Sequence, residues 1–227
     1  QSVENCKIKK NTGIVGDRIF AFAKDLDPEQ AKLFEKSPAE RKSKWNKVLT
    51  LKNSPALNKY NFIFKDEKLT LIFKDNEILS IDINQSTERE ALSNKISELE
   101  SSLEQPIVLM KNDAFPFFDT SISKKIDFVN SVSLLNIQSI NDFEKKTNKS
   151  IEASIFRGNL CIDEIEPWKE REWIGEIIKI NNVSFKVEKN IPRCVAINLK
   201  PQSEDNSFDL LQLLKKNYNH FDMGVYL

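Results

Sequence analysis

Short β-rich runs separated by polar breaks dominate the chain. Tyr60–Lys65, Lys68–Phe73 and Ile78–Ile83 are three such runs, and Asp66-Glu67 and Lys74–Glu77 break them, which predicts a β-meander of hairpins. The period then changes. Leu92, Ile96, Leu99 and Leu103 fall on one face of a helix opened by Thr87 with Glu90, a stripe for core packing. Upstream, Asp27-Pro28 and Ser37-Pro38 mark helix starts, the second with a Ser37–Glu40 capping box and proline in the first helical position. Arg41, Lys42, Lys44 and Lys47 make that short helix a solvated basic face anchored by Trp45, and Thr50–Leu57 reads as strand then turn. Downstream, Pro106–Met110 predicts a buried strand and Asn112–Lys125 a loop. Ser131–Asn136 predicts a strand, and Ser139 with Asp142 a helix to about Lys146. Ala153–Cys161 reads as a strand interrupted at Arg157-Gly158-Asn159, with Cys161 in the core. After an acidic turn at Glu166–Glu172, the runs Ile177–Ile180 and Val183–Val187 around Asn181-Asn182 give a hairpin. A strand through Pro192-Arg193-Cys194 follows, then a helix capped by Ser207 with Leu210, Leu211, Leu213 and Leu214 inward, then a strand at Phe221–Leu227. The pattern predicts a strand-rich α+β fold with peripheral helices, closer to an antiparallel or mixed barrel than to a doubly wound sheet.

Length and charge narrow the classes. The 227 residues allow one large domain or two small ones, with a core that needs no staples. The formal net charge is zero, which argues against a nucleic-acid binder working through a broad basic surface. No apolar run approaches the ~18–20 residues of a membrane span. Cys6, Cys161 and Cys194 have no metal-finger spacing, and an odd count in a chain this long points to a reducing, cytoplasmic setting. The start at Gln1 and the end at Leu227 within a strand pattern predict a piece of a longer protein.

The chemistry on offer is narrow. His220 is the only histidine and reads as a surface or packing residue. There is no phosphate loop and no dinucleotide fingerprint. Gly13 and Gly16 lead into Asp17-Arg18, which reads either as a turn closed by an ion pair or as an arginine at a strand mouth that binds an anion. Cys194 follows Arg193, and a fixed positive charge favours the reactive thiolate. The alternative is a buried structural cysteine.

The order of these motifs resembles one family. Gly13-Ile14-Val15-Gly16-Asp17-Arg18 looks like the glycine–aspartate–arginine turn of MOSC proteins, the type of the molybdenum-cofactor sulfurase C-terminal domain. Thr50, Lys52, Pro55 and Leu57 resemble its threonine–x–arginine…proline–x–leucine stretch. Phe156-Arg157-Gly158-Asn159 resembles its phenylalanine–arginine–proline–asparagine, Trp173 and the hairpin after it match in outline, and Arg193-Cys194 resembles its arginine–cysteine pair. Leu210 to Leu214 with Met223-Gly224-Val225-Tyr226 resemble the closing helix and strand. The chain departs from the pattern at Pro192, Asn198 and Lys200, and at Gly158, where glycine for proline is expected to loosen the Arg157 turn.

The resemblance implies a MOSC N-terminal-like β-rich region over 1–105 and a MOSC-like β-barrel domain over 106–227, incomplete at its C-terminus. In the mitochondrial amidoxime reducing component and its bacterial relatives the matching cysteine ligates the molybdenum of a pterin cofactor. Carried over, Cys194 is the metal ligand and catalytic residue, and Arg18, Lys52, Arg157, Asn159 and Arg193 bind the molybdenum cofactor (molybdopterin). The cationic residues are expected to converge on Cys194. The implied activity is reduction of a small N-hydroxylated or N-oxide substrate. Its electrons come from a partner protein or domain, since no flavin or nicotinamide motif is present. The alternative is a sulfur carrier or cofactor-binding module with a persulfide on Cys194 and no reductase activity.

Overall fold

A computed structural model describes residues 6–10, 13–103, 106–119, 126–205 and 207–227. Thr12, residues 120–125 of the expected loop, and the expected domain boundary at 105 lie outside the described residues. The chain divides into two compact units, Gln1–Asn130 and Ser131–Leu227. The fold is α+β, with many short strands and few helices.

In the first unit, β1 (Ile8–Lys9) pairs with β2 (Gly13–Ile14). β3 (Phe20–Lys24) is followed by α1 (Pro28–Lys36) and α2 (Pro38–Ser43). Both helices start as their sequences dictate: the Asp27 carboxylate accepts from Gln30 N, the Ser37 hydroxyl accepts from Glu40 N, and each has proline in its first turn. The meander is β4 (Tyr60–Lys65), β5 (Lys68–Phe73) and β6 (Asn76–Asp82), all antiparallel. Its buried face carries Leu69, Leu71 and Ile81, covered by Leu92 and Ile96 of α3 (Ser86–Leu99). β7 (Ile107–Lys111) pairs antiparallel with β3.

Three readings in this unit are corrected. α3 stops at Leu99, short of Leu103, and Gln85 rather than Thr87 stands at its N-cap. Thr50–Leu57 holds no strand. The Asn53 side-chain carbonyl accepts from Thr50 N and draws the backbone into a turn, after which Pro55 opens a 3-10 turn, Pro55–Lys59. Arg41 is not on a solvated face. It is 2% exposed, its guanidinium donates to the Pro116 and Phe115 carbonyls, and it lies 4.4 Å from the Phe117 ring centroid. Burial pushes the Arg41 guanidinium down to about 10, so it is a buried cation at neutral pH.

The second unit opens with β8 (Ser133–Asn136) and α4 (Ile137–Thr147). The Asn136 side chain caps α4 by accepting from Gln138 N, so the helix starts two residues before the expected Ser139. β9 (Leu160–Ile162) runs parallel to β8. The hairpin β10 (Ile177–Ile180) and β11 (Val183–Lys186) turns through Asn181 at φ 53°, as the paired asparagines dictate. β12 (Lys189–Pro192), α5 (Leu210–Tyr218) and β13 (Asp222–Tyr226) complete the unit. The sheet order is β12-β13-β8-β9, with β10-β11 a separate pair, and among the described residues no closed barrel forms. Leu135, Phe143, Phe156, Leu210, Leu214 and Met223 fill the space between this sheet and the helices.

Here too the structure corrects the sequence reading. Ala153–Phe156 is a 3-10 turn, with only Leu160–Ile162 as strand, and Cys161 is exposed rather than core. Ser207 does not cap α5. Leu211 N donates to the Asn198 side chain at 3.2 Å, so a residue distant in sequence does that work. The strand expected through Cys194 ends at Pro192, which has no N–H for a ladder and sits past a register shift.

Candidate functional site

The site is built where β12 ends. Arg193 N makes one more main-chain bond, to Phe221 O at 2.9 Å, and then the chain leaves the sheet. Cys194 has extended backbone and stands at the head of the 3-10 turn Val195–Asn198. Its side chain is exposed, with exposed Pro192 and Val195 near it in sequence.

Two arginines hold this turn in place. Arg193 Nε donates to Met223 O at 2.9 Å, Nη2 donates to the same oxygen, and Nη1 donates to Phe156 O at 2.8 Å. Arg157 sits in left-handed backbone at φ 49°. Its Nη1 donates to Ile155 O and to Ala196 O, each at 2.9 Å, and its Nη2 donates to Leu199 O at 3.2 Å. The Arg157 fork therefore ties the turn ending at Phe156 to the turn that follows Cys194. Burial lowers both guanidiniums, Arg193 to about 10, and a Cys194 thiolate acts in the opposite sense on each. The two arginines also repel one another, which Arg193 registers as a further lowering. Arg157, Arg193 and Cys194 thus lie within electrostatic reach of one another, inside one unit.

Gly158 is explained by this packing. A Cβ there would stand 2.5 Å from Leu135 Cγ, so glycine admits the turn against the core rather than loosening it. Gly224, at φ 79°, is equally constrained, since a Cβ would fall 2.3 Å from Leu134 O. It lets β13 pass close to β8 with Met223 O turned to Arg193.

Residues 126–227 match the family model described as MOSC domain. This stretch belongs to the MOSC domain family. No curated protein matches the chain. The MOSC domain is associated with the molybdenum cofactor, and the match spans Arg157, Asn159, Arg193 and Cys194.

The other expected site residues fall as follows. Asn159 Oδ1 accepts from Ser133 N at 3.0 Å and from Ser133 Oγ at 2.8 Å, which fixes the start of β9 on β8. Arg18 and Lys52 belong to the first unit, outside the matched MOSC domain. Arg18 is in left-handed backbone at φ 52°, pairs with Asp17 at 2.6 Å and lies 4.9 Å from the Phe118 ring centroid, the closed turn that was one of its two readings. Lys52 is exposed in the turn before Pro55.

Sequence reasoning missed a polar network in the MOSC domain. Glu170 is fully buried in the 3-10 turn Lys169–Trp173. Its carboxylate accepts from Ser139 Oγ at 2.9 Å and from Asn136 Nδ2 at 2.9 Å, and Ser139 Oγ accepts in turn from Trp168 N at 2.7 Å. An acidic run gave no sign of this, because which carboxylate turns inward is set by the partners waiting there. Lys200, a departure from the family pattern, pairs with Glu152 at 3.5 Å.

Proposed function

We propose that the chain holds a molybdenum cofactor for a reductase of small N-hydroxylated or N-oxide compounds, with electrons delivered by a separate partner protein or domain. The observation that carries this is the exposed Cys194 thiol at the head of a turn whose backbone is tied down by Arg157 and Arg193. A soft thiolate suits a soft metal, and a ligand needs a backbone that does not yield. In this reading Cys194 ligates the metal. Arg157 and Arg193 offer positive charge to the anionic pterin, and Asn159 offers its amide N–H groups. Arg18 and Lys52, in the first unit, are cofactor-binding residues by the family resemblance alone. When bound, the cofactor supplies the two-electron chemistry. The chain supplies binding, orientation and charge.

The same reading takes residues 1–105 as the MOSC N-terminal-like region, residues 106–227 as the β-barrel domain, and the setting as cytoplasmic. Consistent with the barrel reading, a groove of about 430 Å³ is lined by Leu134, Ile162 of β9, Trp173 and Ile178 of β10, and among the described residues β9 and β10 do not pair with each other. An extended strand seated there would join the open sheet to the hairpin.

A second reading, a sulfur carrier with a persulfide on Cys194, is favoured by the exposure of that sulfur. One experiment separates the readings. Cys194→Ser and Cys161→Ala proteins are purified and assayed for molybdenum and cyanide-labile sulfur per chain. The expected result is loss of molybdenum in Cys194→Ser alone, with folding unchanged in both variants, since Cys161 is exposed and its truncation stays within about 0.5 kcal/mol. Labile sulfur without molybdenum in the parent protein supports the carrier. If Cys194→Ser keeps both at the parent level, the cysteine is structural and both readings fail.

A further inference from the structure

His220 sits at the corner between α5 and β13, and each of its ring nitrogens faces a donor. Arg171 Nη1 lies 2.8 Å from Nε2, and the main-chain N–H of Asp222 donates to Nδ1 at 3.1 Å. A guanidinium has no acceptor, a neutral imidazole has one acceptor nitrogen, and an imidazolium has none. The neutral ring satisfies one of these contacts, and the protonated ring satisfies neither.

The surroundings add to this. Arg171 comes from the 3-10 turn Lys169–Trp173, and Lys215 from α5 is a second cation acting on the ring. The Asp222 carboxylate acts on it in the opposite sense, and that group is shared with Arg171 at 3.5 Å. The ring is stacked 5.8 Å from Tyr218 and lies edge-on, 5.6 Å from Trp168. Burial and the Asp142 carboxylate push the Tyr218 phenol up, so it keeps its proton. Lys146 pairs with that carboxylate and lies over the Tyr218 ring.

The corner leads directly to the cysteine. Phe221 O accepts from Arg193 N, and Met223 O accepts Nε and Nη2 of the Arg193 guanidinium. Residues 221–223 therefore carry most of what anchors Arg193 beside Cys194.

We infer that His220 is an acid-sensitive latch: neutral, it accepts from Arg171 or from the Asp222 main-chain N–H and so holds the 220–223 corner, and protonated, it accepts from neither, repels Arg171 and loosens the anchors of Arg193 and the Cys194 turn. The regulatory meaning rests on Cys194 being the functional residue proposed above, whereas the latch itself is measured without any cofactor. Burial, then Arg171, holds the imidazole below its ordinary 6.5. The unfolded chain therefore takes up this proton first, and stability falls as pH drops through 6.5 until the folded-state value is passed.

His220 is the only histidine, so its ring signals in a nuclear magnetic resonance titration need no assignment by elimination. The expected midpoint is below 6.5 in the parent protein and higher in Arg171→Gln, which removes the facing cation. In parallel, iodoacetamide labelling of Cys194 is followed by peptide mass spectrometry in the parent and in His220→Gln, at about pH 7.5 and about pH 5.5. The ratio of parent to variant rates is expected to fall several-fold on acidification, because the exposed thiol needs no unveiling and loses the arginine charge that favours its thiolate. A parent midpoint at or above 6.5, or no movement in Arg171→Gln, overturns the latch. An unchanged labelling ratio overturns its coupling to Cys194. Absence of molybdenum from the protein would defeat the functional reading and leave the titration result standing.

Discussion

Arg193→Met tests whether the arginine beside the cysteine is an anchor of the fold. Methionine keeps much of the apolar stem and removes every donor. The Phe156 and Met223 carbonyls lose their side-chain partner, and both residues are buried, at 1% and 0% exposure. An unsatisfied buried acceptor costs about 1–3 kcal/mol, so two cost roughly 2–6 kcal/mol. Against this stands the relief of burying a cation, the same burial that holds the Arg193 guanidinium down to about 10. The net expectation is a loss of about 2–4 kcal/mol. Urea unfolding followed by tryptophan fluorescence reads it, because Trp168 and Trp173 report on the MOSC domain. With a slope of about 1–3 kcal/mol per molar, the midpoint falls by roughly 1–2 M. Arg193→Lys should recover only part of the loss, since one ammonium lacks the fork that reaches both carbonyls. A change below about 0.5 kcal/mol in Arg193→Met would refute the anchoring argument and leave Arg193 free for a purely ligand-facing role.

Two further substitutions probe the same unit. Gly224→Ala places a Cβ 2.3 Å from Leu134 O in backbone at φ 79°, and left-handed strain with overpacking should cost about 2–4 kcal/mol in the same assay. Glu170→Ala removes the acceptor shared by Ser139 Oγ and Asn136 Nδ2 and opens a cavity, with an expected loss of about 2–4 kcal/mol. Glu170→Gln should lose less, because the amide oxygen still accepts.

Much of the local structure was legible in the chain. The meander and the Asn181-Asn182 hairpin were readable because strand patterning and turn chemistry act over a few residues. The starts of α1 and α2 were readable for the same reason, since a capping side chain reaches only three residues along the chain. Where a cap came from elsewhere, the reading failed. Asn198 caps α5, and nothing near Leu211 in sequence announces it. Arg41 reads as one more charge in a basic run, yet it is buried, because carbonyls some 75 residues away accept its hydrogens.

The candidate site divides in the same way. Sequence alone determined that Cys194 has an arginine beside it and that glycines stand at 158 and 224. It could not determine that Arg193 and Arg157 spend donors on main-chain carbonyls, since those oxygens are supplied by residues 155, 156, 196, 199 and 223, brought together only by the packed sheet. Nor could it tell that Cys161 faces out while Glu170 faces in. Side-chain identity sets what a residue can bond, but which partner it finds, and at what burial, is decided by distant segments meeting in the tertiary structure.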